Sequence, residues 1–255
     1  MDISQFAAFV LVACLASYIQ AFTGFAFGLV LLSGAALLGL MPVEDAALIV
    51  GLLTLVNAGH VMATGQRAIL WRPFVIVLIG AFGLLPVGYL LLGYLSAHDL
   101  AALSIVLGAV VMVCSVMVIR PIQAAAKPAS AGSTFFFGAV SGLMTGLLSA
   151  GGPPLAYHFY RQPISMPAIR ETLTSVYAMN QLLRLGLVAL AGGFTTHLVL
   201  VAGFTVPAVL GGAALAKRFP PPVPQPIFRS MVAGLLFLSG GALAVPPILG
   251  LMDWA

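Results

Sequence analysis

The chain has 255 residues, of which 62% are hydrophobic and only 6% are charged. Soluble globular proteins carry about a quarter charged residues, so this composition excludes a water-soluble domain. The ten basic residues are spread too thinly to indicate nucleic-acid binding, and neither cysteine belongs to a metal-ligand pattern. The sequence therefore predicts an all-α, multi-pass membrane protein that lies in the lipid bilayer, with no nucleic-acid partner, no cofactor and no metal site.

Several stretches without Asp, Glu, Lys or Arg are long enough to cross a membrane. A run of about 18 apolar residues is already a candidate for a membrane-spanning helix. The first run has about 40 residues, which as one helix would measure twice the thickness of the hydrocarbon layer. Four such runs are Ile3–Val43, Ala46–Gln66, Phe74–His98 and Leu185–Ala216.

The positions of the charges predict which side of the membrane each loop occupies. Basic residues are enriched in cytoplasmic loops, which places Arg67 and Arg161 inside and Glu44 outside. Under this assignment the segments 3–43 and 129–160 each begin and end on one face. We therefore interpret both as re-entrant or broken helical hairpins, with a break at the glycine-rich middle of each.

The two halves of the chain then follow the same plan in opposite orientation, a hairpin followed by three transmembrane helices. The prediction is a first repeat over residues 1–120, a cytoplasmic linker over 121–133 and a second repeat over 134–255. Matching residues support a duplication: Met41-Pro42 with Met166-Pro167, Asn57 with Asn180, and Pro86 with Pro207, which we expect to interrupt the third elements. Inverted repeats with broken helices are a transporter architecture that binds substrate near the midplane.

Each break has residues that can begin a helix inside the membrane. At the first break, Thr23 can cap a helix that begins around Phe25, next to Gly24. At the second, a cap before Pro153 can come from Ser149 or from the backbone of Gly151 and Gly152.

Helix N-termini carry partial positive charge and free N–H groups, and glycine lets a ligand approach the backbone closely. Two such ends that meet at the midplane would form an anion site. The alternative for any glycine-rich stretch is tight helix packing, to which we assign the stripe Gly138, Gly142 and Gly146.

Arg184 is the most informative single residue, because it lies past the midplane of its predicted crossing and no acidic residue is expected at the same depth. A charge there costs a few kcal/mol even on permissive insertion scales. An anionic substrate would supply a partner, with Asn180 one turn earlier and Asn57 in the first half as further contacts. The alternative is that Arg184 snorkels outward or binds loose backbone carbonyls.

These segments resemble the TauE/SafE sulfite-exporter family, also called TSUP. The similar stretches are Gln20–Gly28, Gly146–Leu155 and Met166–Leu173, the last followed by Asn180 and Arg184. The chain departs from the family pattern at Ala26 and Ala150, from which we expect a pocket of altered shape. The resemblance implies transport of sulfite, sulfonates or organosulfur acids, commonly by export, in the cytoplasmic (inner) membrane of a bacterium.

The predicted function is therefore a secondary transporter and not an enzyme. It would move a small sulfur-containing anion by alternating access around a midplane site. A coupling proton or cation and homo-oligomer formation are left open. The competing hypotheses are a non-catalytic membrane subunit of a larger complex and an intramembrane serine hydrolase that uses Ser149 with His158.

Overall fold

The structure is a computed structural model that describes residues 2–23, 25–64, 68–119, 128–219 and 225–252. The described residues fold into α-helices without a β-strand, which confirms the all-α prediction. In chain order the helices are α1 (Ile3–Thr23), α2 (Phe27–Leu37), α3 (Val43–Thr64), α4 (Trp71–His98), α5 (Leu100–Ile119), α6 (Ala131–Leu148), α7 (Gly152–Tyr160), α8 (Met166–Leu190), α9 (Thr196–Arg218) and α10 (Gln225–Met252).

Most of these helices are long and apolar enough to cross a bilayer. Within the described residues, α1, α3, α4, α5, α6, α8 and α9 meet both conditions. With 11 and 9 residues, α2 and α7 reach only about half of the roughly 30 Å hydrocarbon layer at about 1.5 Å per residue. The multi-pass prediction is confirmed. Because α1 and α6 are each long enough to cross, re-entry of the two hairpins stays a prediction.

Both predicted helix breaks are present. Between α1 and α2 the helix stops after Thr23 and resumes at Phe27, and between α6 and α7 it stops after Leu148 and resumes at Gly152. Gly24 and the side chain of Thr23 lie outside the described residues. Ending a helix inside a membrane leaves backbone groups without intrahelical partners, so the surrounding protein has to supply them.

The predicted side-chain caps of these helices are wrong. The helix after the first break begins two residues later than expected, and its N-cap, Ala26, makes no side-chain cap hydrogen bond. The N-cap of α7 is Gly151, without a side-chain cap, which agrees with the backbone alternative and not with Ser149. Ser149 instead ends α6, in the left-handed conformation at φ 53°, and its hydroxyl donates to the Ala47 carbonyl oxygen at 2.6 Å. A side chain engaged with α3 is not available to cap α7.

The predicted linker is described only in part, and the expectation for two prolines is wrong. Residues 131–133 of the predicted linker are helical, because the Ser130 hydroxyl accepts a hydrogen bond from the Ser133 N–H at 3.2 Å and caps the start of α6. Residues 121–127 lie outside the described residues. Pro86 and Pro207 do not interrupt their helices, since α4 and α9 continue through them. Neighbouring helices and local backbone adjustment make such prolines tolerable in membrane helices.

The glycine stripe of α6 packs against α4, as predicted. A Cβ added at Gly138, Gly142 or Gly146 would collide with the backbone of α4, at Val77, Ala81 and Leu85 in turn. From the other side, Gly80 and Gly88 of α4 have no room for a Cβ against α6. Two helices that approach this closely gain dispersion contacts that larger residues would prevent.

The main helix contacts join the two halves of the chain. Helix α4 packs on α6, α1 on α9, α5 on α10, and α3 on α8. If α1–α5 are matched in order with α6–α10, the α4–α6 contact corresponds to the α9–α1 contact, and the other two pairs correspond to themselves. The pair α3 and α8 lies beside the two helix breaks, so these helices supply the side chains that surround the site.

Candidate functional site

The two helix breaks lie directly against each other. A Cβ added at Gly28, in the first turn of α2, would stand 2.9 Å from the carbonyl oxygen of Ser149. A Cβ at Gly152, the first residue of α7, would stand 2.8 Å from the carbonyl oxygen of Phe25. Glycine at both positions is therefore what lets each helix start reach the opposite break.

The two breaks enclose a small cavity, which we call the break cavity. Its volume is about 20 Å³, enough for one water molecule. The first turns of α2 and α7 border it, and their N–H groups have no acceptor within their own helices. The lining residues carry no formal charge, so partial charges of backbone and amide groups set the local field. They are Gln20, Phe25, Phe27, Gly28, Thr54, Thr145, Ser149, Ala150, Gly151, Gly152, Tyr177 and Gln181.

Side chains from α8 hold the second break through its carbonyl oxygens. The Tyr177 hydroxyl donates to the Gly152 carbonyl at 3.0 Å, and the Gln181 amide to the Ser149 carbonyl at 2.8 Å. The Arg184 Nε–H donates to the Gly146 carbonyl at 3.2 Å. These three donors stand on one face of α8 at four- and three-residue spacing. Gln181 and Arg184 satisfy acceptors that the end of α6 and the break would otherwise leave unpaired, and Tyr177 adds a contact to the start of α7.

Arg184 is buried, with 1% of its surface exposed, and it contacts carbonyl oxygens. Besides Gly146, its NH1 group donates to the Ala47 carbonyl at 3.3 Å, the same oxygen that accepts from Ser149. Its Cζ lies 6.0 Å from the ring centroid of Tyr89, within range of a cation–π contact. A guanidinium at the C-terminal turn of α6 is also favoured by the helix dipole. This arrangement is the alternative in which Arg184 binds backbone carbonyls.

On its other side Arg184 borders a second and larger cavity of about 360 Å³, which we call the Arg184 cavity. The carboxylates of Glu44 and Asp45 and the rings of Tyr89 and Tyr94 also line it. Ser149 lines the break cavity and Arg184 lines the Arg184 cavity. Both donate to the Ala47 carbonyl, which therefore connects the two cavities.

The structure brings some of the predicted site residues together and leaves others apart. Of the predicted residues, Phe25, Ser149, Gly151 and Gly152 line the break cavity. Pro153 is buried in the first turn of α7 but does not line the cavity, and it lacks the N–H that an anion would need. Asn57, Asn180 and Arg184 are buried outside the lining.

Several buried amide groups lack hydrogen-bond partners among the described residues. Both side-chain polar atoms of Asn180 are unpaired although the residue is fully buried, and Gln181 Oε1 is unpaired as well. Gln20 Oε1, on the first-break side of the break cavity, is also unpaired. Burying such a group without a partner costs about 1–3 kcal/mol, so these positions are suited to a bound water or ligand.

The sequence interpretation missed Gln181, Tyr177 and Gln20 as lining residues. Gln181 and Tyr177 precede Arg184 by three and seven residues, so the helical face of Arg184 already pointed to them. Gln20 offered no such signal, because a single amide before a glycine-rich segment has no periodic pattern.

The serine hydrolase hypothesis finds no support in the geometry. A catalytic serine needs a base within hydrogen-bond reach. The Ser149 hydroxyl is bound to the Ala47 carbonyl, whereas His158 Nε2 lies 3.1 Å from the Thr134 hydroxyl and its ring stacks on Phe137. The two residues therefore serve different contacts.

Comparison with known proteins agrees with a transport site. The family model described as "Sulfite exporter TauE/SafE" matches residues 9–243. A protein of Cupriavidus necator named "Probable sulfite/organosulfonate exporter TauE" is 34% identical over 238 residues, and the alignment covers 91% of each chain.

Proposed function

Because the chain belongs to the TauE/SafE family of sulfite exporters, we propose that it carries sulfite or a small sulfonate through the break cavity. As a member of this family it is a membrane transporter of sulfur-containing anions and not an enzyme. The bilayer and a small anionic substrate are its partners. The observation that carries the proposal is the meeting of two uncapped helix N-termini, at Phe27 and Gly152, around one buried cavity.

Backbone N–H groups are well suited to sulfite and sulfonate oxygens. Helix starts combine several N–H donors with a positive partial charge. The donors available to the cavity come from Phe27 and Gly28 on α2 and from Gly151 and Gly152 on α7. A transporter has to release its substrate, and partial charges bind an anion less firmly than a fully charged lining would. The uncharged lining therefore favours passage over trapping.

The conformation described here is closed around the cavity. A space of about 20 Å³ admits one water molecule but not an oxyanion of four or more heavy atoms. Substrate entry requires the two breaks to separate, and Gly28 and Gly152 mark the contacts that would part. A site that opens and closes in this way is what alternating access requires.

We infer an inverted repeat as the basis of that motion. Its support is the pattern of helix contacts, in which exchange of α1–α5 with α6–α10 turns the α4–α6 pair into the α9–α1 pair and leaves α5–α10 and α3–α8 unchanged. In this proposal each half contributes one helix break to the substrate and one long helix, α3 or α8, behind it.

In this proposal Arg184 contacts the anion on its way from the break cavity to the Arg184 cavity. When the breaks separate, its Nη1 group can exchange the Ala47 carbonyl for a substrate oxygen while its Nε–H stays bound to the Gly146 carbonyl. The charge-assisted pair with an anion is the stronger of the two contacts. The anion would then move into the Arg184 cavity. Glu44 and Asp45 line the same cavity, and their negative charge would discourage the anion from remaining there.

Export is the direction favoured by the membrane potential. Moving one negative charge out of an inside-negative cell gains about 2.3 kcal/mol per 100 mV. Export across the bacterial inner membrane therefore needs no coupling ion, whereas uptake would need a proton or another cation.

The test is efflux of radiolabelled sulfite from proteoliposomes under an imposed inside-negative potential. We expect efflux above that of protein-free liposomes, competition by sulfonates, and strong inhibition in Gly152→Ala, whose methyl group would enter the Phe25 contact. Gly186→Ala is the matched control, because a Cβ there meets nothing within 4 Å. Absence of sulfite and sulfonate efflux, or equal efflux in both variants, would refute the break cavity as the site.

A further inference from the structure

We propose that the groove beside Tyr157 binds an anionic phospholipid, with one acyl chain in the groove and the phosphate at Arg161. This groove, here called the Tyr157 groove, lies between α5 and α10 next to α7 and has a volume of about 530 Å³. Its lining is Met112, Val113, Val116, Met117, Tyr157 and Phe237.

The lining fits a hydrocarbon chain. Val113 and Phe237 expose 60% and 47% of their surfaces. Val113 belongs to a helix long and apolar enough to cross a membrane, and Phe237 to the shorter apolar stretch of α10, so in a bilayer both face lipid. The two methionines have unbranched, flexible side chains that adapt to an irregular apolar ligand. The tyrosine hydroxyl is the polar exception in this lining, which gives the groove one polar end.

Arg161 provides the charge at that polar end. Its NH1 group donates to the Tyr157 hydroxyl at 3.1 Å, and its Cζ lies 5.3 Å from the centroid of the Tyr157 ring. The residue is exposed, so its remaining N–H groups can reach a phosphate, which guanidinium groups bind with paired hydrogen bonds. A basic residue at the end of an interhelical groove on the cytoplasmic side is typical of anionic lipid sites.

The position of the groove links it to the transport site. Tyr157 is part of α7, and Arg161 directly follows that helix. The other end of the same nine-residue helix starts at Gly152, which borders the break cavity. A lipid held by Tyr157 and Arg161 would therefore fix one end of the helix whose other end meets the substrate.

The experiment is a lipid titration of the purified full-length protein, followed by native mass spectrometry and thermal unfolding. Phosphatidylglycerol is compared with phosphatidylcholine of the same acyl chains. We expect tighter binding of phosphatidylglycerol and an approximately fivefold weaker affinity for it in Arg161→Gln, the effect of one basic residue near an anionic lipid surface. Arg218→Gln is the control, because Arg218 is also exposed and stacks on an aromatic ring, that of Phe219, but borders no part of the groove.

Two further variants keep the test decisive if Arg161→Gln does not fold. Tyr157→Phe should weaken phosphatidylglycerol binding by removing the hydroxyl, and Val113→Trp should weaken binding of both lipids by filling the groove. Equal affinity for the two lipids, equal loss in Arg218→Gln, or binding of glycerol phosphate as tight as that of the lipid would overturn the proposal. So would a disulfide between two copies of Val113→Cys in liposomes, which would show that protein covers the groove.

Discussion

The two helix breaks that form the cavity are held in different ways. The α6–α7 break is fixed by side chains: Tyr177, Gln181 and Arg184 of α8 donate to its carbonyls, and the Ser141 hydroxyl donates to the Gly151 carbonyl at 2.6 Å. At the α1–α2 break, Gln20 presents an Oε1 without a partner among the described residues, and the start of α2, like that of α7, has no side-chain cap.

We propose that this difference gives the two breaks different parts in transport. The hydrogen bonds from α8 hold the second break in place, because breaking those to the Ser149 and Gly146 carbonyls would leave buried acceptors unpaired at about 1–3 kcal/mol each. We therefore expect the α1–α2 break to move toward and away from the α6–α7 break while α8 keeps the latter in place.

The largest expected effect comes from removing the charged donor of the fixed break. Arg184→Leu leaves the Gly146 carbonyl without its side-chain donor, whereas the Ala47 carbonyl keeps the Ser149 hydroxyl. A hydrogen bond to a charged group is worth about 1.5–3 kcal/mol. We expect a fall in unfolding temperature and an approximately hundredfold loss of sulfite efflux, measured in proteoliposomes.

Arg184→Lys separates charge from geometry in this experiment. An ammonium keeps the charge but cannot form the same forked contact, so we expect intermediate efflux. If Arg184→Leu transported like the wild type, Arg184 would have no role in passage of the anion.

The next effect tests the close approach of the first break to the second. In Gly28→Ala the added methyl group would stand 2.9 Å from the Ser149 carbonyl oxygen and 3.2 Å from Ala150 Cβ. We expect sulfite efflux to fall about tenfold while the fold is kept, because alanine favours a helix over glycine by about 1 kcal/mol.

Gly59→Ala is the matched control for this glycine, since it is also helical and a Cβ there meets nothing within 4 Å. Unchanged efflux in both variants would mean that the two breaks do not need to touch.

Two glutamine substitutions, one at each break, test whether the breaks differ in how firmly they are held. Gln181→Leu deprives the Ser149 carbonyl of its donor, so the free energy of unfolding should fall by about 1–3 kcal/mol. Gln20→Leu removes an amide whose Oε1 is already unpaired, and its effect should stay within about 0.5 kcal/mol. Equal destabilisation of the two variants, measured by denaturant unfolding in detergent, would contradict a fixed second break and a mobile first one.

The smallest effect is expected at Asn180, whose buried amide lacks partners. Asn180→Leu should raise the free energy of unfolding by about 1 kcal/mol, because an unpaired polar group is replaced by an apolar one. If the amide serves the substrate in the open state, efflux should fall about threefold at the same time. Greater stability with unchanged efflux would assign Asn180 no part in transport.

The sequence predicted the helix breaks better than the groups around them. Glycine and proline act on their own backbone, so Gly151–Pro153 indicated a break without knowledge of any neighbour. Caps depend on which partner is nearest: Ser149 could have capped α7, but the carbonyl of Ala47, about a hundred residues earlier in the chain, takes its hydroxyl. The same holds for Arg184, which is buried and whose partners come from α3 and α6.

The sequence by itself determined the membrane environment, the two breaks and the family, because apolar composition, glycine content and local motifs need no contact between distant segments. Only the tertiary structure decided that Arg184 satisfies carbonyl oxygens while the uncapped N-termini of α2 and α7 border the cavity. The physical reason is that a backbone group inside a membrane must find a partner somewhere, and which one it finds depends on the helices packed beside it.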